Sequence, residues 1–194
     1  MITTVDFLRH GEVAGGSYYR GCTDDLLTKL GWQQMNHAVA DKSWDCIVSS
    51  PLLRCLDFAQ HFSKQKNIPL SIDSNWQEIN FGDWEGKTAE QINSTSLMRF
   101  YQDPANNTPK NGENIELFLE RVNLAWKSTI QSHRGKHILV ITHAGIIRCL
   151  FNVFLCLPIN KTFNIQVNHA SLTSFQCIHD KPNDFIKLVF QNLT

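Results

Sequence analysis

His137-Ile138-Leu139-Val140-Ile141-Thr142-His143-Ala144-Gly145 is the stretch on which the fold class turns. Residues 137–142 form a continuous apolar run of strand length. Such a run suits a parallel strand covered on both faces, because neither face needs polar residues. The segment that follows, Ala144 to Leu157, is apolar nearly all round and reads as a buried helix.

Strand, turn and helix recur in that order along the chain. Residues 2–9 are rich in β-branched and aromatic types and read as a strand. They run into Arg9-His10-Gly11, and glycines 11, 15, 16 and 21 make a loop. Thr28 can cap a helix reaching about Ala40. Gly31 inside that helix points to close packing. Residues 45–49 read as a short strand. Ser50 then serves as an expected N-cap with Pro51 at the first helical position. Leu52, Leu56, Ala59 and Phe62 give this helix one apolar face, and Asn67-Ile68-Pro69 ends it. Residues 70–72 are a brief extended piece, and 76–108 are mostly loop and short helix, the kind of segment that often forms a lid or binding loop. A long helix over about 113–132 precedes the opening stretch. Residues 171–178 and 185–190 read as closing strands. Alternation of strands and helices makes the class α/β. With no repeat, low-complexity tract or linker, a single domain over residues 1–194 is expected, in which 93–110 are part of a lid-like insertion.

A chain of 194 residues buries a sound core without staples. Lys plus Arg and Asp plus Glu both total 18, a balance that argues against a dedicated nucleic-acid or membrane-surface partner. The 6 cysteines form no Cys-x-x-Cys pair and read as free thiols of a reducing compartment. No basic region followed by an apolar run opens the chain, and residues 146–159 are too short and polar to span a membrane. Cytoplasmic localisation is the expectation.

Three junctions place a cation or imidazole just past a strand's carboxyl end: Arg9-His10, Arg54 beyond Ser49-Ser50-Pro51, and His143. In open α/β sheets ligands bind at those ends. Arg54 in the first turn of its helix opposes the helix dipole unless an anion sits between them. A phosphate is such an anion, and helix N-termini favour it. Backbone N–H groups near Ala144 open another helix and can join the same pocket. Each residue has an ordinary alternative, a structural histidine or a surface ion pair. The other histidines, His179 and His169 among them, fit that ordinary role, His169 less plainly. A metal site is the rival use of His10 and His143. It lacks a third ligand at metal-binding spacing, and two arginines beside the imidazoles would repel a cation. Neither a metal nor a cofactor is expected. There is no Gly-x-Ser-x-Gly, Walker A or Gly-x-Gly-x-x-Gly run.

Leu8-Arg9-His10-Gly11-Glu12 resembles the opening motif of the histidine phosphatase superfamily, the phosphoglycerate mutase-like proteins. Asp25-Leu26-Leu27-Thr28-Lys29-Leu30-Gly31, Ser49-Ser50-Pro51-Leu52-Leu53-Arg54, Glu78 to Gly86, Asn111-Gly112-Glu113 and Thr142 to Arg148 resemble its later motifs, in its order. The resemblance implies a three-layer α/β/α sandwich, with a mostly parallel sheet and an antiparallel edge strand. It implies phosphomonoester hydrolysis through a phosphohistidine on His10. Arg9, Arg54 and His143 would hold the phosphoryl oxygens with Gly11 and Ala144 nearby, and Glu78 would be the acid and base. Arg20-Gly21-Cys22-Thr23-Asp24-Asp25 and the short chain look most like alpha-ribazole phosphatases, so Arg20, Cys22 and Thr23 are substrate-contact candidates. The partner implied is a small phosphate ester. A sugar or glycerate phosphatase, a mutase and a non-catalytic phosphate-binding module are the alternatives. Trp84, Phe81, Phe100 and Tyr101 could stack on a substrate ring or form a small core. Val13 and Gly16 depart from the family pattern. The oligomeric state, a homodimer included, stays open.

Overall fold

Val5, Phe7 and Leu8 are fully buried in β1 (Ile2–Arg9), an inner strand of the sheet. β1 runs parallel to β4 (His137–Thr142), and the register pairs Arg9 with Thr142. The two strands therefore stop at one level, and His10 and His143 follow side by side. β2 (Cys46–Ser49) lies parallel on the other side of β4, with Ser49 opposite Ile141, so Ser50 arrives at the same edge. The short β3 (Leu70–Ile72) extends this parallel set. The computed structural model describes residues 1–180 and 184–194. Among these the order is β3-β2-β4-β1-β5-β6.

β5 (Leu172–Ile178) and β6 (Phe185–Leu193) are both antiparallel to their neighbours. The expected antiparallel edge is thus two strands wide. The link between these strands is too short for the crossover that parallel pairing needs.

Alternation along β1 sends Phe7 to one face of the sheet and Leu8 to the other. Phe7 packs with Phe118, Trp126 and Ile147 of α4 (Ile115–Ser132) and α5 (Ala144–Leu155). Leu8 packs with Met35 of α1 (Lys29–Val39) and Phe58 and Phe62 of α2 (Leu53–Lys66). These are the two outer layers of an α/β/α sandwich. Thr28 caps α1 as expected, accepting from the Gly31 N–H at 3.0 Å.

The start of α2 corrects the sequence reading. Its N-cap is Leu52, with no side-chain cap bond, and Ser50 lies outside the helix. Arg54 nonetheless stays in the first turn. The Ser50 hydroxyl accepts from the Leu52 N–H at 3.3 Å, one residue short of the helix, and also meets His143 at 2.8 Å.

Residues 76–108 contain short 3₁₀ turns and α3 (Ser94–Gln102). Trp84, Ile92 and Phe100 form a small core there, with Phe163 packed against it just after α6 (Ile159–Thr162). Among the described residues no helix is long and apolar enough to cross a membrane.

Candidate active site

His10 is buried, and its Nδ1 lies 2.8 Å from the Gly11 carbonyl. A carbonyl only accepts, so the proton sits on Nδ1 and the Nε2 lone pair is left for chemistry. Burial, then the charges of Arg9 and Arg54, hold its pKa well below 6.5, so the ring is neutral at pH 7. The turn needs glycine twice over. A Cβ at Gly11 would fall 2.3 Å from the Gly31 carbonyl oxygen, and one at Gly31 would fall 2.1 Å from that of Glu12. This mutual approach brings the helix start onto the Arg-His-Gly turn and explains Gly31 inside α1.

Arg9 donates from one terminal nitrogen to the Val167 carbonyl at 2.7 Å. Its Nε is buried without a hydrogen-bond partner among the described residues. Burial lowers its pKa to about 10, so it remains a cation. An unmatched buried N–H costs about 1–3 kcal/mol, and an anion beside it removes that cost.

Arg54 is fully buried. Its Nε donates to His143 Nδ1 at 3.2 Å. Its terminal nitrogens donate to the Thr23 carbonyl at 2.6 Å and the Gly21 carbonyl at 2.7 Å. His143 must then carry its proton on Nε2 and donate to Ser50 Oγ. Its ring lies 5.3 Å from that of His10, and burial followed by the Arg54 charge keeps it neutral. Cys55 Sγ is 3.7 Å from His143 Nε2. Burial pushes its thiol up to about 12, so it does not compete as a nucleophile.

The loop holding Arg54 is itself held by Glu85. Its carboxylate accepts from the N–H groups of Gly21, Cys22, Thr23 and Phe81, and from the Thr23 hydroxyl. Burial raises its pKa, but these bonds outweigh it and the net shift is downward. The Cys22 and Thr23 N–H groups are thus committed to Glu85. Glu85 itself escaped the sequence reading, although it lies within the acidic motif.

Glu78 lines the same cleft as Arg9 and His10. One carboxylate oxygen accepts from the Gly145 N–H at 2.9 Å, the other from the Ile79 N–H at 3.0 Å. Its backbone is fixed by Arg121, also missed from sequence. Arg121 donates to the carbonyls of Asn75, Gln77 and Glu78 at 2.8, 2.7 and 3.1 Å. Glu113 grips the same guanidinium at 2.6 and 2.9 Å. The Gly112-Glu113 motif thus acts on the site through Arg121. Gly145 lies at the start of α5, while Ala144 is buried beside it.

The cleft in front of His10 has a volume of about 820 Å³. Tyr18, Phe81, Phe100, Tyr101 and Phe163 supply aromatic wall, and Arg20 and Arg148 supply charge. Arg20 is steadied by Asp25 at 2.7 Å and stacks 3.9 Å from the Tyr18 ring centroid. The Tyr19 and Tyr101 hydroxyls meet at 2.8 Å, joining the 15–25 loop to α3. Trp84 belongs to the small core. His169 is a residue the sequence reading left among the ordinary histidines. Its ring lies 5.8 Å from His10, and burial, then Arg9, takes its pKa down to about 4. It is presented by Ala170 at φ +54°, a backbone region unusual for a residue with a Cβ. The two departures from the family pattern find places here too. Val13 is buried and pairs with Leu27 in an isolated bridge, and Gly16 takes φ +85°.

A neutral buried imidazole, buried arginines and a carboxyl gathered near the ends of parallel strands make a pocket suited to an anionic ligand. The chain belongs to the histidine phosphatase superfamily (branch 1), whose profile it matches over residues 5–186. It is 27% identical over 179 residues to a bifunctional protein of Mycobacterium tuberculosis, covering 88% of this chain and 49% of the relative. The chain thus spans about half the length of that relative. It is 31% identical to the glucosyl-3-phosphoglycerate phosphatase of Mycolicibacterium vanbaalenii, over 79% of this chain and 75% of that one. It is 24% identical to the adenosylcobalamin/alpha-ribazole phosphatase of Escherichia coli, over 84% of each. The fold matches the native structure of a mycobacterial glucosyl-3-phosphoglycerate phosphatase with TM-score 0.87 at 23% identity, covering both chains fully.

Proposed function

We propose that the protein is a metal-independent phosphomonoesterase that carries the phosphoryl group on His10. The observation that carries this reading is the Nδ1 bond to Gly11, which leaves Nε2 as a neutral nucleophile among buried cations. Nε2 attacks phosphorus, forming an N–P bond as the ester P–O bond breaks. Arg9 and Arg54 stabilise the charge on the transferring group, and His143 joins them by turning its Nε2–H from Ser50 Oγ to a phosphoryl oxygen. Glu78 gives its proton to the leaving alkoxide. A water then attacks phosphorus and returns a proton to Glu78. The N–P bond breaks, and inorganic phosphate leaves.

The substrate proposed is alpha-ribazole 5′-phosphate, a step in assembling or salvaging the cobalamin lower ligand. An aromatic wall of Tyr18, Phe81, Phe100 and Tyr101 favours a ring-bearing alcohol over a small polar one. Residues 93–110, which contain α3, are proposed to act as a lid on that wall. A sugar or glycerate phosphatase is the second reading. Arg20 and Arg148 on the cleft wall favour it, since they suit a substrate carboxylate. A panel of phosphorylated metabolites decides between them. The account expects the highest kcat/KM on alpha-ribazole phosphate. Preference for a phosphoglycerate ester would favour the second reading, and no turnover of any phosphomonoester would overturn both.

A further inference from the structure

The catalytic residues follow the carboxyl end of β1, and a separate cluster sits by its first residues. Ile2 pairs with Ile178, so the two places are roughly 25 Å apart at about 3.3 Å per strand residue. There Cys177 Sγ lies 3.7 Å from His179 Nδ1 and 3.4 Å from Asp184 Oδ2, and the last two atoms are 3.0 Å apart. All three point at one another. Zinc bonds of about 2.3 Å to sulfur and about 2.0–2.1 Å to nitrogen or oxygen require tetrahedral edges of roughly 3.3–3.6 Å. The observed triangle matches one face of that tetrahedron to within a few tenths of an ångström.

We infer that Cys177, His179 and Asp184 form a binding site for a divalent transition metal of the zinc type, with water in the fourth position. The other face of the histidine is already anchored. His179 Nε2 lies 2.7 Å from Thr3 Oγ1, and that hydroxyl accepts from the Gly135 N–H at 2.9 Å. The His179 backbone N–H donates to the Met1 carbonyl at 2.9 Å. An outer partner on the second ring nitrogen is the usual support of a metal-ligating histidine; the hydroxyl holds the ring in place and can accept the Nε2 proton, which leaves Nδ1 free. A thiolate with an imidazole selects zinc-like ions over magnesium or calcium.

The charges balance. The Cys177 thiol proton passes to solvent on binding, and thiolate plus carboxylate neutralise the dication. Arg134, the cation acting on Asp184, then faces a neutral unit. The Asp184 side chain is 42% exposed, which gives the ion access, while that of His179 is 3% exposed. Bound metal would tie the end of β5 and the start of β6 to the beginning of β1. It would stabilise the fold and leave phosphoryl transfer untouched.

The test is titration of the metal-free full chain with Co²⁺, then Zn²⁺. One equivalent of Co²⁺ should give a thiolate-to-cobalt charge-transfer band, and Zn²⁺ should displace it and raise Tm. Cys177→Ser and His179→Gln should lose both effects while keeping phosphatase turnover. Thr3→Val should weaken binding by roughly 10–100-fold. Absence of the band in wild type would overturn the inference, whatever the variants do. So would a band that persists in Cys177→Ser, since it would place the metal on another of the free cysteines.

Discussion

Gly145→Ala separates the positioning of Glu78 from the stability of the fold. A Cβ at Gly145 would stand 2.1 Å from Glu78 Oε1 and 2.9 Å from its carboxyl carbon. The carboxylate must retreat by roughly 1 Å or more, a displacement that can cost on the order of 10²-fold when it moves a reacting group. It also loses its place on the Gly145 N–H, now 2.9 Å away. The obstructing atoms end a rotatable side chain, so the fold can yield cheaply. Gly145 lies in the first turn of α5, where alanine gains up to about 1 kcal/mol of helix propensity. Opposite signs follow: Tm holds or rises while catalysis falls. With an alkyl leaving group, kcat/KM, which reports only the steps up to release of the alcohol and not the later attack of water, should drop by about 10²–10⁴-fold, the usual worth of general acid catalysis. With p-nitrophenyl phosphate, whose leaving group needs no proton, the drop should stay under about 10-fold. Glu78→Gln should show the same contrast, and the double variant should be little worse than either single one. Equal losses on both substrates, or full activity on the alkyl ester, would refute the role given to Glu78.

Stability should fall as pH drops below 6.5. His10 and His143 have folded-state pKa values well below that ordinary value. The unfolded chain therefore binds more protons across the window, and each imidazole can contribute up to about 1.4 kcal/mol of lost stability per pH unit. Urea denaturation between pH 7.5 and 5 measures this, and a flat profile would contradict it. Glu85→Ala removes the acceptor for the Gly21, Cys22 and Thr23 N–H groups. It should cost about 2–4 kcal/mol of stability and lower kcat/KM by slackening the carbonyls that hold Arg54, both read from denaturation and steady-state kinetics. A Cβ at Gly16 would meet no atom within 4 Å, and the residue sits at φ +85°, so in Gly16→Asn the position takes the side chain best tolerated there. It should change stability by less than about 1 kcal/mol and tighten competitive inhibition by inorganic phosphate; a large loss of Tm would show that the loop needs glycine there.

Much of the site was legible because strand ends and register are local and repetitive features. A continuous apolar run ending in His143 and a β-rich run ending in Arg9-His10 imply parallel neighbours, and their register then gathers the imidazoles. What stayed hidden depends on contacts between distant segments. Ser50 reads as a helix cap because its hydroxyl suits that role, yet the helix starts later, at Leu53, and the hydroxyl also takes a bond from His143, far along the chain. Arg121 carries no local signal at all; it matters because α4 crosses the backbone of residues 75–78. Glu85 was inside a recognised motif, but three of the N–H groups it accepts from, those of Gly21, Cys22 and Thr23, come from a loop over sixty residues earlier. Trp84 and Phe100 could have been substrate platform or core, and only packing decided that both are core, with Phe100 also edging the cleft.

The most direct test is rapid-quench trapping of the enzyme with ³²P-labelled substrate. The account predicts an acid-labile, base-stable phosphoenzyme whose label maps to His10, formed before alcohol and phosphate have reached steady release. His10→Ala should form none and lose turnover, while His169→Ala should still be labelled. Label on another residue, no label in an active wild-type enzyme, or undiminished turnover in His10→Ala would contradict the nucleophile assigned to His10.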